Sequence, residues 1–332
     1  MKSKRMRRIL VIAVTFSAVL FVILTVVIYA SAGPSFECHF PMQGPLQPGI
    51  SSRVVMSGGI ERCYLIYVPS GYHAEQPAAI VFALHGFASN AATFRAAAGW
   101  EPIADHEHFL VIYPEGSAFP LRWNIGPIAN IPMIDDVQFI RDVITQVNTI
   151  AAVDPLRIFV SGFSNGGQMT HRIACALADQ VAAVGIVDGL DSGMLLPCAP
   201  ARPVSVMAFF GTASPLNGIT YPKWFQALMN VSINENELTL PANAPSLLIE
   251  SWARQDGCDS QAETLPAVGN TTGIRYGGCS GGAENVLYTI DGQGHAWPGG
   301  PSSPFLGDSI ADVNASELLW VFFQQHPLQS AQ

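Results

Sequence analysis

Two kinds of hydrophobic pattern alternate along the chain. Short runs that are apolar at nearly every position occur at residues 79–84, 109–113, 181–187, 204–210 and 286–290. Runs of this length and continuity predict strands buried on both faces, as in a parallel sheet. Between them lie stretches with helical spacing. Val137, Ile140, Val143, Ile144 and Val147 share one face of a helix that Asp135 and Asp136 open and that runs to about residue 152. Residues 94–107, 244–256 and 315–325 predict further helices, the first interrupted by Gly99 and Pro102. Residues 63–68 alternate and stop at Pro69, which predicts an early strand. Alternation of this kind from residue 79 onward predicts an α/β fold, a mainly parallel sheet with helices on both faces. Neither an internal repeat nor a second domain is visible. Residues 114–134 predict a long loop above the carboxyl edge of the sheet. Residues 212–242 predict an insertion or lid, and residues 31–52, rich in Pro, Gly and Ser, a linker or arm.

One junction has a sharper signature. Ile158, Phe159 and Val160 lead into Gly162-Phe163-Ser164-Asn165-Gly166, and small, helix-compatible residues come next. This is strand, tight turn, helix, in the pattern G-x-S-x-G of a nucleophile elbow. A serine on a strained turn needs near side-chain-free neighbours two residues away on each side. The turn lifts the hydroxyl above the sheet edge. The helix behind it presents free N–H groups, which favour a developing oxyanion.

The N-terminus changes the compartment. Lys2, Lys4, Arg5, Arg7 and Arg8 precede an uncharged run over residues 9–30, long enough to span a bilayer. Ala30-Ser31-Ala32 also resembles a small-residue cleavage site. Residues 1–32 are therefore a signal peptide or an N-terminal membrane anchor, and both export the rest of the chain. Those five residues are part of 16 basic ones, so the remainder carries 11 basic against 25 acidic residues, a formal charge of −14. Such a charge argues against nucleic acid as a partner; membrane attachment is expected only through residues 9–30. All six cysteines lie beyond the apolar run, and an even number in an exported chain suggests disulfides. Pairing sequence neighbours gives the shortest loops: Cys38–Cys63, Cys175–Cys198 and Cys258–Cys279. The last is the firmest, because a Gly- and Thr-rich segment between its members reads as a loop in need of a staple. No cysteine or histidine spacing suggests zinc.

A serine nucleophile requires a base. His295 lies just beyond the strand at 286–290, in Gly294-His295-Ala296-Trp297-Pro298-Gly299-Gly300, where glycines let the loop bend toward Ser164. The order Ser, then His near the end, matches a hydrolase. An oxyanion needs two N–H donors. The Asn165 amide, directly after the nucleophile, is one candidate. The Phe87 amide is the other, in His85-Gly86-Phe87 after the strand at 79–84, with His85 supporting that loop. His106 and His108 read as solvated and His171 as structural. Trp123, Trp224 and Trp297 are candidate aromatic linings; of these, Trp297 is placed near the site.

His85-Gly86-Phe87, Asp135-Asp136-Val137, the elbow, Trp252 before Gly257-Cys258, and the His295 loop occur in this order over residues 50–326. Together they resemble the secreted poly(3-hydroxybutyrate) depolymerases and feruloyl esterases of the α/β-hydrolase superfamily. The resemblance implies a Ser-His-acid carboxylic ester hydrolase acting on a small-molecule or polymeric ester, without cofactor or metal. It implies a catalytic domain over residues 53–328, preceded by an arm at 33–52, and supports a disulfide at Cys258. One position departs from the family. Where the family carries its acid, in a G-T-A-D-P segment, this chain reads Gly211-Thr212-Ala213-Ser214-Pro215. Serine can orient an imidazole but cannot stabilise its charged form. Asp188, at the end of the neighbouring strand, is the expected replacement, with Asp191 a second candidate. The alternative is a binding protein on the same fold whose triad has decayed.

Overall fold

The computed structural model describes residues 33–125, 134–189, 198–214, 243–303 and 306–329. The N-terminal apolar run, the segment at 215–242, Trp224 and Asp191 lie outside these residues. Among the described residues, no helix is long and apolar enough to cross a membrane.

Ten strands form one sheet in the order β1-β2-β4-β3-β5-β6-β7-β10-β9-β8. They are β1 Gly49–Ser57, β2 Ile60–Val68, β3 Ala78–Leu84, β4 Leu110–Pro114, β5 Val153–Phe163, β6 Ala183–Val187, β7 Ser205–Gly211, β8 Glu263–Val268, β9 Thr271–Tyr276 and β10 Asn285–Ile290. The six central strands pair in parallel from β4 to β10. The strands at both edges pair antiparallel. The helices are α1 Ala91–Ala98, α2 Glu101–Glu107, α3 Asp136–Ile150, α4 Asn165–Ala176, α5 Ala244–Gln255 and α6 Ala315–Gln325.

The continuous apolar runs are explained by two cores, one on each face. Ile80, Phe82 and Leu84 point into the core shared with Phe139, Val143, Met169, Ile173 and Trp252 of α3, α4 and α5. Ala79, Val81 and Ala83 alternate into the other, with Phe94, Trp100, Leu319 and Phe323. Strand side chains alternate in direction, so a sheet covered twice demands apolar residues at every position.

Local chemistry sets the helix ends. The Asp135 carboxylate accepts from the Val137 and Gln138 amides and caps α3. The helix expected over residues 94–107 is two helices. Gly99, with φ 63°, closes α1 in the left-handed conformation, and Pro102 sits in the first turn of α2, where its missing N–H is harmless. Two further differences lie at the edges. β1 begins at Gly49, within the expected arm, and the expected Gly- and Thr-rich loop contains the hairpin β8–β9. β8 is largely exposed, and the buried positions of β1 are the polar Ser52, Arg53 and Ser57, so neither carries the hydrophobic alternation that marks a half-buried strand.

Cysteines pair as Cys38–Cys63, Cys175–Cys198 and Cys258–Cys279. The first ties the arm to β2. That arm is packed rather than loose: Asn90 donates to the Gly33 carbonyl at 3.1 Å, and Ser52 Oγ to that of Glu37 at 2.7 Å.

Candidate active site

The carboxyl ends of β3, β5, β6 and β7 meet at one rim, and the sharpest turn there is the one at Ser164. Its backbone has φ 54° and ψ −121°, unusual for a side-chain-bearing residue. The glycines around it are sterically required. A Cβ on Gly162 would stand 2.3 Å from the Gly166 carbonyl oxygen, and one on Gly166 would stand 2.3 Å from that of Leu84. The Ser164 amide bonds the Val187 carbonyl at 2.9 Å, which seats the turn on the end of β6. The side chain is half-buried and makes no cap bond to α4.

His295 sits in the loop after β10. Its amide bonds the Leu306 carbonyl at 2.7 Å, and its ring lies over Phe163, 4.7 Å between centroids, directly before Ser164 in the chain. Gln293 braces the loop: its side chain accepts from the Ile310 amide at 2.5 Å and donates to the Ala296 carbonyl at 2.8 Å. The Asp188 carboxylate contacts His295 Nδ1, from 107 residues away in sequence. Ser214 Oγ lies 3.4 Å from the same nitrogen. Both side chains are buried. An ionised carboxylate only accepts, so Nδ1 carries the proton and Nε2 presents a lone pair.

Asp188 reaches this position by backbone strain. Its φ is 47°, and its amide bonds the Phe209 carbonyl of β7 at 2.8 Å. Beside it, a Cβ on Gly189 would come 2.6 Å from Gly167 Cα on the elbow helix, so only glycine allows this approach.

On the other side of Ser164 lies the loop after β3. A Cβ added to Gly86 would meet Ser164 Cβ at 3.3 Å, so this loop passes close to the serine. Phe87 is half-buried and Asn165 is buried at the first position of α4. Trp123, a candidate aromatic lining by its sequence, is fully buried and has a bracing part that sequence reasoning missed. Its indole N–H donates to the His85 carbonyl at 2.8 Å, and its amide donates to Asn165 Oδ1 at 2.7 Å. Trp297 is likewise buried: its ring meets Phe94 edge-on at 5.3 Å and its N–H bonds Ser316 Oγ at 3.1 Å, which anchors the His295 loop. No local pattern distinguishes an indole that braces a loop from one that faces a ligand.

The remaining histidines fall outward or inward as expected. His106 and His108 are exposed. His171 is buried, with Nδ1 accepting from Trp252 at 3.2 Å and Nε2 3.7 Å from Cys175 Sγ. Among the described residues, His171, Cys175 and Cys198 are the one cluster with metal-ligand spacing. Both sulfurs are joined in a disulfide and the imidazole is engaged by Trp252, so the cluster reads as structural.

Comparison with known proteins agrees with this architecture. The model of the family Esterase PHB depolymerase matches residues 62–215. Feruloyl esterase B of Piromyces equi is 29% identical over 249 residues, which is 71% of this chain but 42% of that protein. Feruloyl esterase C of Emericella nidulans is 25% identical over 299 residues, covering 87% of this chain and 95% of the relative. Among solved structures, an acetyl xylan esterase from Aspergillus awamori superposes with a TM-score of 0.58 at 16% identity, over 82% of this chain and 99% of the other. That likeness gives the fold, an α/β-hydrolase.

Proposed function

We propose that the chain, whose residues 62–215 match the esterase PHB depolymerase family and which resembles feruloyl esterases, is a carboxylic ester hydrolase with Ser164, His295 and Asp188 as its catalytic triad. The observation that carries this reading is the contact of the Asp188 carboxylate with His295 Nδ1. In the proposed cycle, Nε2 of His295 takes the Ser164 proton as Oγ attacks the ester carbonyl. The bond to the alcohol then breaks, Nε2 returns the proton to the leaving oxygen, and an acyl-serine remains. Water repeats the sequence and frees the acid. Asp188 holds the imidazole in the required tautomer and stabilises its charged form. The Phe87 and Asn165 amides receive the negative oxygen of each tetrahedral intermediate.

The substrates are proposed to be aryl and polysaccharide-linked esters of the feruloyl and acetyl-xylan kinds that the relatives' names carry, with short polyesters as a further class. Export belongs to the same proposal. It is supported by three disulfides, which persist in oxidising compartments, and by the N-terminal apolar run. Ser214 in the family's acid position favours the alternative of a non-catalytic binding protein, whereas the Asp188 contact favours turnover. The deciding experiment is a fluorophosphonate label with a panel of hydroxycinnamate, acetyl-xylan and hydroxybutyrate esters. Labelling at Ser164 with turnover of at least one ester is expected. An unlabelled, folded protein would select the binding reading.

A further inference from the structure

His85 is fully buried beneath the loop proposed to supply one oxyanion donor, and its hydrogen bonds define its tautomer. The Gly116 amide donates to Nε2 at 2.9 Å. A backbone N–H can only donate, so Nε2 must be the bare nitrogen and Nδ1 must carry the proton. Nδ1 lies 2.7 Å from the Gly86 carbonyl oxygen and therefore donates to it. The ring is fixed from every side. It packs on Trp123 at 5.1 Å between centroids, and the Trp123 indole holds the His85 carbonyl. Gly116 approaches so closely that a Cβ there would stand 2.8 Å from the Arg122 carbonyl oxygen and 3.1 Å from His85 Cε1.

The Gly86 carbonyl and the Phe87 N–H belong to the same peptide unit. That unit is planar and trans, so its C=O and N–H point in opposite directions. A bond that fixes one fixes the other. A turn bond from the Ser89 amide also reaches the Gly86 oxygen, but at 3.3 Å it is the longer of the two. We infer that His85 is a positioning residue, whose Nδ1–H holds the Gly86–Phe87 peptide in the orientation that presents the Phe87 N–H to the oxyanion. The inference rests on the proposed site and deepens it. If the peptide rotated, the Gly86 oxygen would turn toward the developing negative charge, and a donor would be replaced by an acceptor.

The test uses four variants assayed on a chromogenic short-chain aryl ester, with folding checked by circular dichroism and melting. His85→Asn puts an amide nitrogen the same number of bonds from Cα as Nδ1 and can keep the bond to Gly86. His85→Gln puts its nitrogen one bond further and cannot. His85→Leu has no donor. Loss of one oxyanion donor costs about a hundredfold or more in kcat. His85→Leu and His85→Gln are therefore expected to lose about a hundredfold in kcat with KM changed less than about threefold, and His85→Asn to stay within about tenfold of the parent. Should the leucine variant fail to fold, the comparison of Asn with Gln decides. Equal kcat in those two, or kcat near the parent's in a folded His85→Leu, overturns the inference. Ser164→Ala separates the layers. If it is inactive while every His85 variant is unaffected, the His85 inference alone fails. If it retains turnover, the reading of the site fails and the inference with it.

Discussion

The Asp188 carboxylate and Ser214 Oγ converge on one atom, Nδ1 of His295, and the carboxylate makes the closer contact. β6 and β7 are adjacent, with Val187 paired to Phe209, so residues just beyond either strand reach the same imidazole. A charge at the end of one strand can therefore replace a charge missing after the other.

That relationship assigns unequal weights to the two residues. Replacing a triad aspartate by a neutral residue can cost ~10⁴ in turnover. Asp188→Asn is expected to lower kcat at least a hundredfold, while Ser214→Ala changes it by less than about fivefold. Ser214→Asp on the Asp188→Asn background should recover part of the loss, because it restores a carboxylate at the family's position. Steady-state kinetics of the four proteins check this. Equal losses in the two single variants would remove Asp188 from the acid's role.

Ser164→Ala is expected to abolish ester hydrolysis and fluorophosphonate labelling while leaving the melting temperature nearly unchanged, since one half-buried hydroxyl is lost. His295→Ala should lose a comparable factor, because triad members act as a unit. A loss below about tenfold in either would contradict the assignment.

The charge state of His85 predicts a pH dependence of stability. Burial pushes its pKa down from 6.5 to about 4, with the Arg62 charge acting in the same direction and the bond to Gly86 against it. Glu115 also faces the ring, with Oε2 3.9 Å from Nε2. Between pH 6.5 and 4 the unfolded chain binds this proton and the folded chain does not. The contribution is therefore full above pH 6.5 and lost as pH falls toward 4, roughly 3 kcal/mol in all. His85→Asn carries no such group. The stability difference between parent and His85→Asn should move by that order across the window, measured by urea unfolding at pH 7, 5.5 and 4. Parallel curves would contradict the neutral, buried imidazole.

The Cys258–Cys279 bridge closes a loop of 21 residues at the base of β8–β9. In the chain-entropy treatment such a loop is worth about 3 kcal/mol. The double replacement Cys258→Ser, Cys279→Ser should destabilise by that order, read from the denaturant midpoint. Turnover at low temperature should be kept, because the hairpin lies at the sheet edge remote from Ser164 in the strand order. An unchanged midpoint would show that the hairpin is held by its strand pairing alone.

The central strands, the capped helix α3, the elbow and the histidine loop can all be read from the order of residues along the chain. Each is encoded by neighbours: apolar residues at every position where both faces are covered, Asp135 where free amides need an acceptor, glycines where a Cβ would strike backbone. The edge strands β1, β8 and β9 were not legible: β8 is exposed, and β1 and β9 bury polar residues such as Ser52, Arg53 and Thr271, so these strands are specified by their pairing partners and not by an apolar face. Tertiary structure alone decided what meets His295 and what holds the Phe87 peptide. Asp188 lies 107 residues before His295, and Gly116 lies 31 residues after His85. Sequence could name Asp188 as a candidate because adjacent parallel strands end at one rim. Only the strand order, the positive φ of Asp188 and the close approach of Gly189 to Gly167 bring that carboxylate to the imidazole. Contacts of this kind depend on how separate elements stack, and stacking is set by the summed burial of two cores that no single stretch of the chain contains.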